Sequence, residues 1–234
     1  MSIQSMSFRA RIKARDAVIK HGVDSQRLDL LTRLPKLGTW EKERVPASIP
    51  RFDHRFPLYD HLQATVLKDE PMDYLEFGVY KGESMGYWAD IHANASSRFY
   101  GFDTFDGLPE AWHYFGGAHS EATFDAGGVA PVLADSRVTF VKGLFQDTVS
   151  EFLDKFEPES RIFLHCDADL YSSTLYVLTQ FDRLLVPGSI VLFDEFASVM
   201  DEFSALRDYC AAYRREYDVI ACTRHLAHVA IVMR

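Results

Sequence analysis

Apolar and polar positions along the chain fall into two periods that alternate. Short apolar runs of strand character occur at 73–79, 99–102, 137–143, 161–167, 189–194, 217–223 and 228–233. Between most of them lie longer segments with helical spacing, at 83–94, 146–156, 172–185 and 199–215. Strands alternating with helices predict an α/β fold built on a parallel sheet. The last two runs have no room for a crossover helix between them. A hairpin is therefore predicted, with one strand antiparallel to the rest. The expectation is a seven-stranded, Rossmann-like sheet with helices on both faces and an antiparallel last strand.

Ahead of the sheet, 7–20 and 25–33 read as helices, and 58–67 as a helix leading into the first strand. The segment 35–57 carries four prolines and dense charge, so it reads as a connector or lid and as the main boundary. This divides the chain into 1–57, a helical extension with its connector, and 58–234, the sheet domain. Within the latter, 104–136 is long and irregular but rich in aromatics, including Trp112, Tyr114 and Phe124. It directly follows a strand end, where α/β ligands bind, and reads as a lid over a substrate.

The stretch 73–103 carries the first chemistry. A strand, a turn with Gly78 and Gly82, a helix, and a second strand ending on Asp103 form a nucleoside-binding half. Asp103 is placed to accept from the two hydroxyls of a ribose. Dinucleotide folds prefer G-x-G-x-x-G and seat a pyrophosphate on the helix N-terminus. Here the third glycine is missing, and Glu76 stands before the first. A carboxylate there suits the cationic end of S-adenosylmethionine and disfavours a nicotinamide dinucleotide.

Two further strands end in acids: Asp167 and Asp169, then Asp194 and Glu195. Four carboxylates at one sheet edge repel unless compensated, and neither cluster holds a Lys or Arg. Helix capping explains one acid, not four. A hard divalent cation, Mg²⁺, is the natural remedy. Zinc is disfavoured, because His165 and Cys166 lie inside the strand without partners at ligand spacing; His165 reads as a core residue or a support to the site.

Composition narrows the class. A net charge of −9 excludes a general nucleic-acid binder, and no apolar run is long enough to span a membrane. Three cysteines without a C-x-x-C pair fit a reduced, cytoplasmic protein. The helix 7–20 is basic; packing of Phe8, Ile12 and Ile19 on its own domain or on a second subunit is favoured over docking on a membrane, and its apolar side points to a homo-oligomer.

LEFGVYKGES, FYGFDTFDGLPE, VKGLFQDT, LHCDADLYSST and LVPGSIVLFDEF, in this order, resemble the macrocin O-methyltransferase (TylF/MycF/NovP-type) family of class I S-adenosylmethionine-dependent enzymes. The resemblance runs from residue 72 to 234. It implies Mg²⁺-dependent methylation of a hydroxyl of a sugar or glycoside, on a natural product or a polysaccharide. It further implies metal ligands at Asp167, Asp194 and Glu195, and a general base at Asp169. Glu76, Gly78, Gly82 and Ser84 would line the methionine end of the cofactor and Asp103 the ribose, with Gly143 and Phe145 near the adenine. Tyr80, Thr104, Phe105 and Asp167 complete the expected cofactor shell, and Trp112, Tyr114 and Tyr171 the acceptor wall. The family often has two aspartates where this chain has Asp194 and Glu195, and residues before 72 depart from it. A catechol methyltransferase and a non-catalytic cofactor-binding protein are the competing readings.

Overall fold

The computed structural model describes residues 8–22, 25–114, 117–121 and 123–234. An eight-stranded sheet runs through the chain in the order β1-β9-β10-β8-β7-β2-β3-β6. At its centre β2 (Met72–Phe77) pairs in parallel with β3 (Arg98–Asp103) on one side and β7 (Arg161–Cys166) on the other. All six residues of β2 are buried, as expected for a strand covered on both faces. β6 (Val138–Lys142) extends the sheet beyond β3, and β8 (Ile190–Phe193) beyond β7. The closing hairpin is β9 (Tyr217–Thr223) and β10 (Val229–Met233); β10 lies antiparallel to both β8 and β9. These seven strands and the antiparallel last strand are those anticipated from the apolar runs. The two-residue β1 (Arg51–Phe52), parallel to β9 at the edge, is an addition too short to register as a run.

Each face has its own core. On one face α3 (Arg55–Leu62) and α4 (Glu83–Ile91) bury Leu58, Tyr59, Met85 and Trp88 against Tyr74, Phe99 and Phe163. On the other, α5 (Phe145–Leu153), α6 (Tyr171–Gln180) and α7 (Glu202–Tyr213) bury Val149, Val177, Leu206 and Tyr209 against Leu75, Phe77 and Val191. This is the doubly wound arrangement. Its strand order reverses between β2 and β7, which opens a crevice at their carboxyl ends.

The N-terminal region departs from expectation in two ways. α1 (Phe8–His21) is followed by α2 (Ser25–Arg44), which continues through Pro35 instead of ending before it. A proline inside a helix costs about 3 kcal/mol. Leu30, Leu34, Leu37 and Trp40 pack from α2 onto the α7 side of the core, and that burial offsets the lost hydrogen bond. The helix thus replaces the first part of the expected connector. In α1, Ile19 is 73% exposed, so of the two expected packings, on its own domain or on a second subunit, it does not make the first. The side chain of Phe8 is outside the described residues.

The segment 104–136 is more ordered than its sequence suggests. It contains a hairpin of β4 (Trp112–Tyr114) and β5 (Gly117–His119), and a bridge between Asp106 and Asp125. Phe105 is fully buried, and its carbonyl accepts from the N–H groups of Ala126 and Gly128.

Candidate active site

A cavity of about 580 Å³ opens at the carboxyl ends of β2, β3, β7 and β8. On one side it is walled by the loop after β2, with Gly78, Val79, Tyr80 and Lys81, and by Asp103 and Thr104. Asp103 ties these loops together. Its Oδ2 accepts from the N–H groups of Val79 (2.8 Å) and Tyr80 (2.7 Å), and its Oδ1 from Phe105 (2.7 Å). Tyr80 and Phe105 are both held in the left-handed region, at φ 49° and 59°. Such strain persists where surrounding bonds over-determine the backbone.

Gly78 has a structural reason beyond ligand approach. At φ +98°, a Cβ there would lie 1.8 Å from the Asp167 carbonyl oxygen. The loop after β2 and the loop after β7 are therefore in backbone contact, which brings the acids to the loops of Gly78 and Asp103.

Asp167, Ala168, Asp169, Asp194 and Glu195 form the opposite wall, with Ser173 from α6 and Arg55 from the start of α3. Asp194 is compensated. Its Oδ1 takes the Nε2 of His228 at 3.0 Å, and Arg55 reaches its Oδ2 at 3.7 Å. Burial would raise its pKa, but the His228 hydrogen bond and the charges of His228, His165 and Arg55 outweigh it and bring the carboxyl down to about 2. Asp167 makes no ion pair among the described residues, although the Arg55 charge reaches it. Burial, then Asp194, Glu76, Asp169 and Glu202, push its carboxyl well above the usual range. Burial and the neighbouring Glu195 and Asp194 raise Asp169 to about 8, and Glu195 is raised by burial and Asp194. Asp169 sits at φ 59°, with a tight turn from the Ala168 carbonyl to the Leu170 N–H of 2.6 Å.

These carboxylates fit a divalent cation. Asp167 and Asp194 each offer an oxygen within 4.8 Å of the other and of a nitrogen of His165. Of the two carboxylates, Asp167 has no ion pair of its own among the described residues, and hard cations take oxygen donors. Glu195 lines the cavity but is not part of that close group.

The other residues singled out in the sequence distribute unevenly. Ser84, Phe145 and Trp112 line the cavity. Glu76, Gly82, Phe105, Gly143 and Tyr171 do not. Glu76 is buried and accepts a 2.6 Å bond from the Tyr74 hydroxyl. Gly82, at φ +76°, is the N-cap of α4 and meets Pro131. Gly143 ends β6 at φ +142° beside Thr148. Tyr171 gives its hydroxyl to Asp208 at 3.2 Å. Tyr114 lies in β4, and its side chain is outside the described residues.

Arg55, Lys81, Glu83 and His228 were not foreseen as parts of the site. Arg55 also pairs with Glu83 across the cavity wall. Another unforeseen residue, Asp201, is the N-cap residue of α7; its Oδ2 accepts from the Trp112 indole at 3.1 Å and its Oδ1 from the Tyr171 amide at 3.3 Å. Only the wall residues of the loops had a local signal, in their position after apolar strands.

Sheet order and the position of the cavity define a class I methyltransferase fold. The family described as a methyltransferase domain matches residues 75–196, and the chain belongs to it. The "8-demethyl-8-(2,3-dimethoxy-alpha-L-rhamnosyl)-tetracenomycin-C 4'-O-methyltransferase" of Streptomyces olivaceus is 30% identical in an alignment 187 residues long that covers 68% of this chain; the chain spans 66% of the length of this curated relative. Among solved structures, the O-methyltransferase NovP has a TM-score of 0.59 at 21% identity, covering 77% of this chain and 79% of its own. The calicheamicin methyltransferase CalS11 has a TM-score of 0.57 at 20% identity, covering 99% and 98%. At these identities the structures bear on the fold alone. Among the described residues no helix is long and apolar enough to cross a membrane.

Proposed function

We propose that the chain is an S-adenosylmethionine-dependent O-methyltransferase of the macrocin type that acts on a sugar hydroxyl of a glycoside. The observation that carries this reading is one cavity shared by the Asp103 loop and the acids Asp167, Asp169, Asp194 and Glu195. The name of the Streptomyces relative, a rhamnosyl 4'-O-methyltransferase, supports a sugar acceptor.

The cofactor supplies an electrophilic methyl group on a sulfonium. Asp103 and the loop after β2 would hold its ribose, and Ser84 and Asp167 its methionine end. Asp167, Asp194 and Glu195 would hold a divalent cation, Mg²⁺ on the family resemblance, which would supply Lewis-acid activation of an alcohol. Asp169 takes the acceptor proton. Its position on the wall, next to Asp167 and close to Asp103, keeps base, cation and cofactor within one enclosure. Trp112 braces the acceptor side, held by Asp201. The N-terminal helices, with Val18 and Ile19 exposed, are read as contacts of a homo-oligomer.

The test is methyl transfer to a panel of rhamnosyl glycosides, with catechols as controls and a chelator arm. Product gaining one methyl from a glycoside, and loss of turnover on chelation, support the reading. Turnover of catechols alone, or full activity in chelator, contradicts it.

A further inference from the structure

We propose that His165 is a further ligand of the metal centre beside Asp167, Asp194 and Glu195, which adds one imidazole nitrogen to the carboxylates and gives the site a preference for a first-row transition ion such as Mn²⁺ over Mg²⁺. The inference deepens the methyltransferase reading, since it concerns the cation of that same cavity.

His165 is fully buried in β7, two residues before Asp167, so both side chains leave the strand on the same side. Register sets it beside Glu76 of β2 and Leu192 of β8. Its Nδ1 lies 2.7 Å from the Tyr74 hydroxyl. That hydroxyl has one proton and gives it to Glu76 Oε2 at 2.6 Å. Towards His165 it can only accept, so Nδ1 carries an N–H, and in the neutral ring Nε2 carries the lone pair.

Nε2 is buried and has no hydrogen-bond partner among the described residues. It points to the acids: the nearest carboxylate oxygen, Asp194 Oδ1, is 3.9 Å away. That is too long for a hydrogen bond, yet one donor atom each from His165, Asp167 and Asp194 fall within 4.8 Å of one another. A buried imidazole nitrogen facing two carboxylates, one of them without an ion pair of its own, is an arrangement that a metal ion satisfies. The series Glu76–Tyr74–His165 has the form by which proteins fix a ligating imidazole, with its second nitrogen donating to an acceptor that is itself oriented by a carboxylate. It also accounts for Glu76, which is buried in the strand and does not line the cavity.

The donor set selects the ion. Mg²⁺ prefers oxygen and keeps its waters, whereas imidazole raises the affinity for first-row transition ions. His228 serves differently: it hydrogen-bonds Asp194 and orients it.

Mn²⁺ added to the metal-free chain tests this by pulsed electron paramagnetic resonance, which reads nitrogen bound to the ion without recourse to activity. The expected result is nitrogen modulation from one directly bound imidazole, lost in His165→Gln. Tyr74→Phe, which keeps Nε2 but frees the ring, is expected to weaken Mn²⁺ binding about 10- to 100-fold. An oxygen-only Mn²⁺ spectrum, or nitrogen modulation that persists in His165→Gln, overturns the assignment. Should His165→Gln not fold, the wild-type spectrum and the Tyr74→Phe affinity decide. S-adenosylhomocysteine titrated into the same preparation separates the outcomes. Cofactor binding with oxygen-only Mn²⁺ refutes the His165 ligand and leaves the methyltransferase reading standing; absence of cofactor binding refutes the latter.

Discussion

The carbonyl oxygen of Asp167 occupies the position that a Cβ on Gly78 would need, 1.8 Å from it. The two loops of the cavity are thereby registered against each other through backbone, with the Asp167 N–H also donating to the Phe77 carbonyl at 2.9 Å. Gly78→Ala must push them apart and also force a left-handed backbone on alanine. A destabilisation of about 2–4 kcal/mol is expected, together with loss of S-adenosylhomocysteine binding. Thermal melting and calorimetry on the variant check this; a wild-type melt with wild-type binding would contradict it.

Asp169→Asn removes the proposed base and keeps the shape of the loop. Turnover should fall by about 10²- to 10⁴-fold, with cofactor binding changed little. Loss of cofactor binding as the main effect would instead assign Asp169 a structural role.

Asp201 holds the Trp112 indole and the amide that begins α6. Asp201→Ala removes the acceptor of these two donors and of the Ser198 hydroxyl, a cost of about 1–3 kcal/mol. The acceptor KM is expected to rise about tenfold or more, with the cofactor affinity nearly unchanged. Equal loss of both would show that Trp112 braces the whole cavity.

Away from the site, the Arg215 hydrogen bond, against the opposing effect of burial, lowers the Asp182 pKa, helped by the Tyr209 hydroxyl. A carboxyl depressed in the folded state binds fewer protons there than in the unfolded chain. Its stabilisation is present above the unfolded value of about 4 and is lost as the pH falls through the folded one. Asp182→Asn should therefore lower the melting temperature at neutral pH, and the gap should close under strongly acidic conditions. A gap that does not change with pH would show that shape, not charge, makes the difference.

Much of the sheet was legible because each strand is an apolar run closed by glycine, proline or charge, and because a hairpin alone fits between 217 and 233. The acids were legible for the same reason: they stand just after those runs. The neutralising groups were not. Arg55 lies 139 positions before Asp194, and His228 lies 34 after it. Only the fold brings them together, so an acid cluster without local Lys or Arg looked less compensated than it is. Glu76 was read towards the ligand from its place before a glycine; its bond to Tyr74, two residues back on the same side of β2, keeps it inside the sheet. The helix through Pro35 was hidden because burial of Trp40 and its neighbours overrides local propensity.

The most direct test of the central claim is calorimetric titration of the chain with S-adenosylhomocysteine, with NAD as the control. Saturable binding of the first, weakened in Gly78→Ala, and no binding of NAD are predicted. Binding of NAD, or no binding of S-adenosylhomocysteine with or without a divalent cation, would contradict the account.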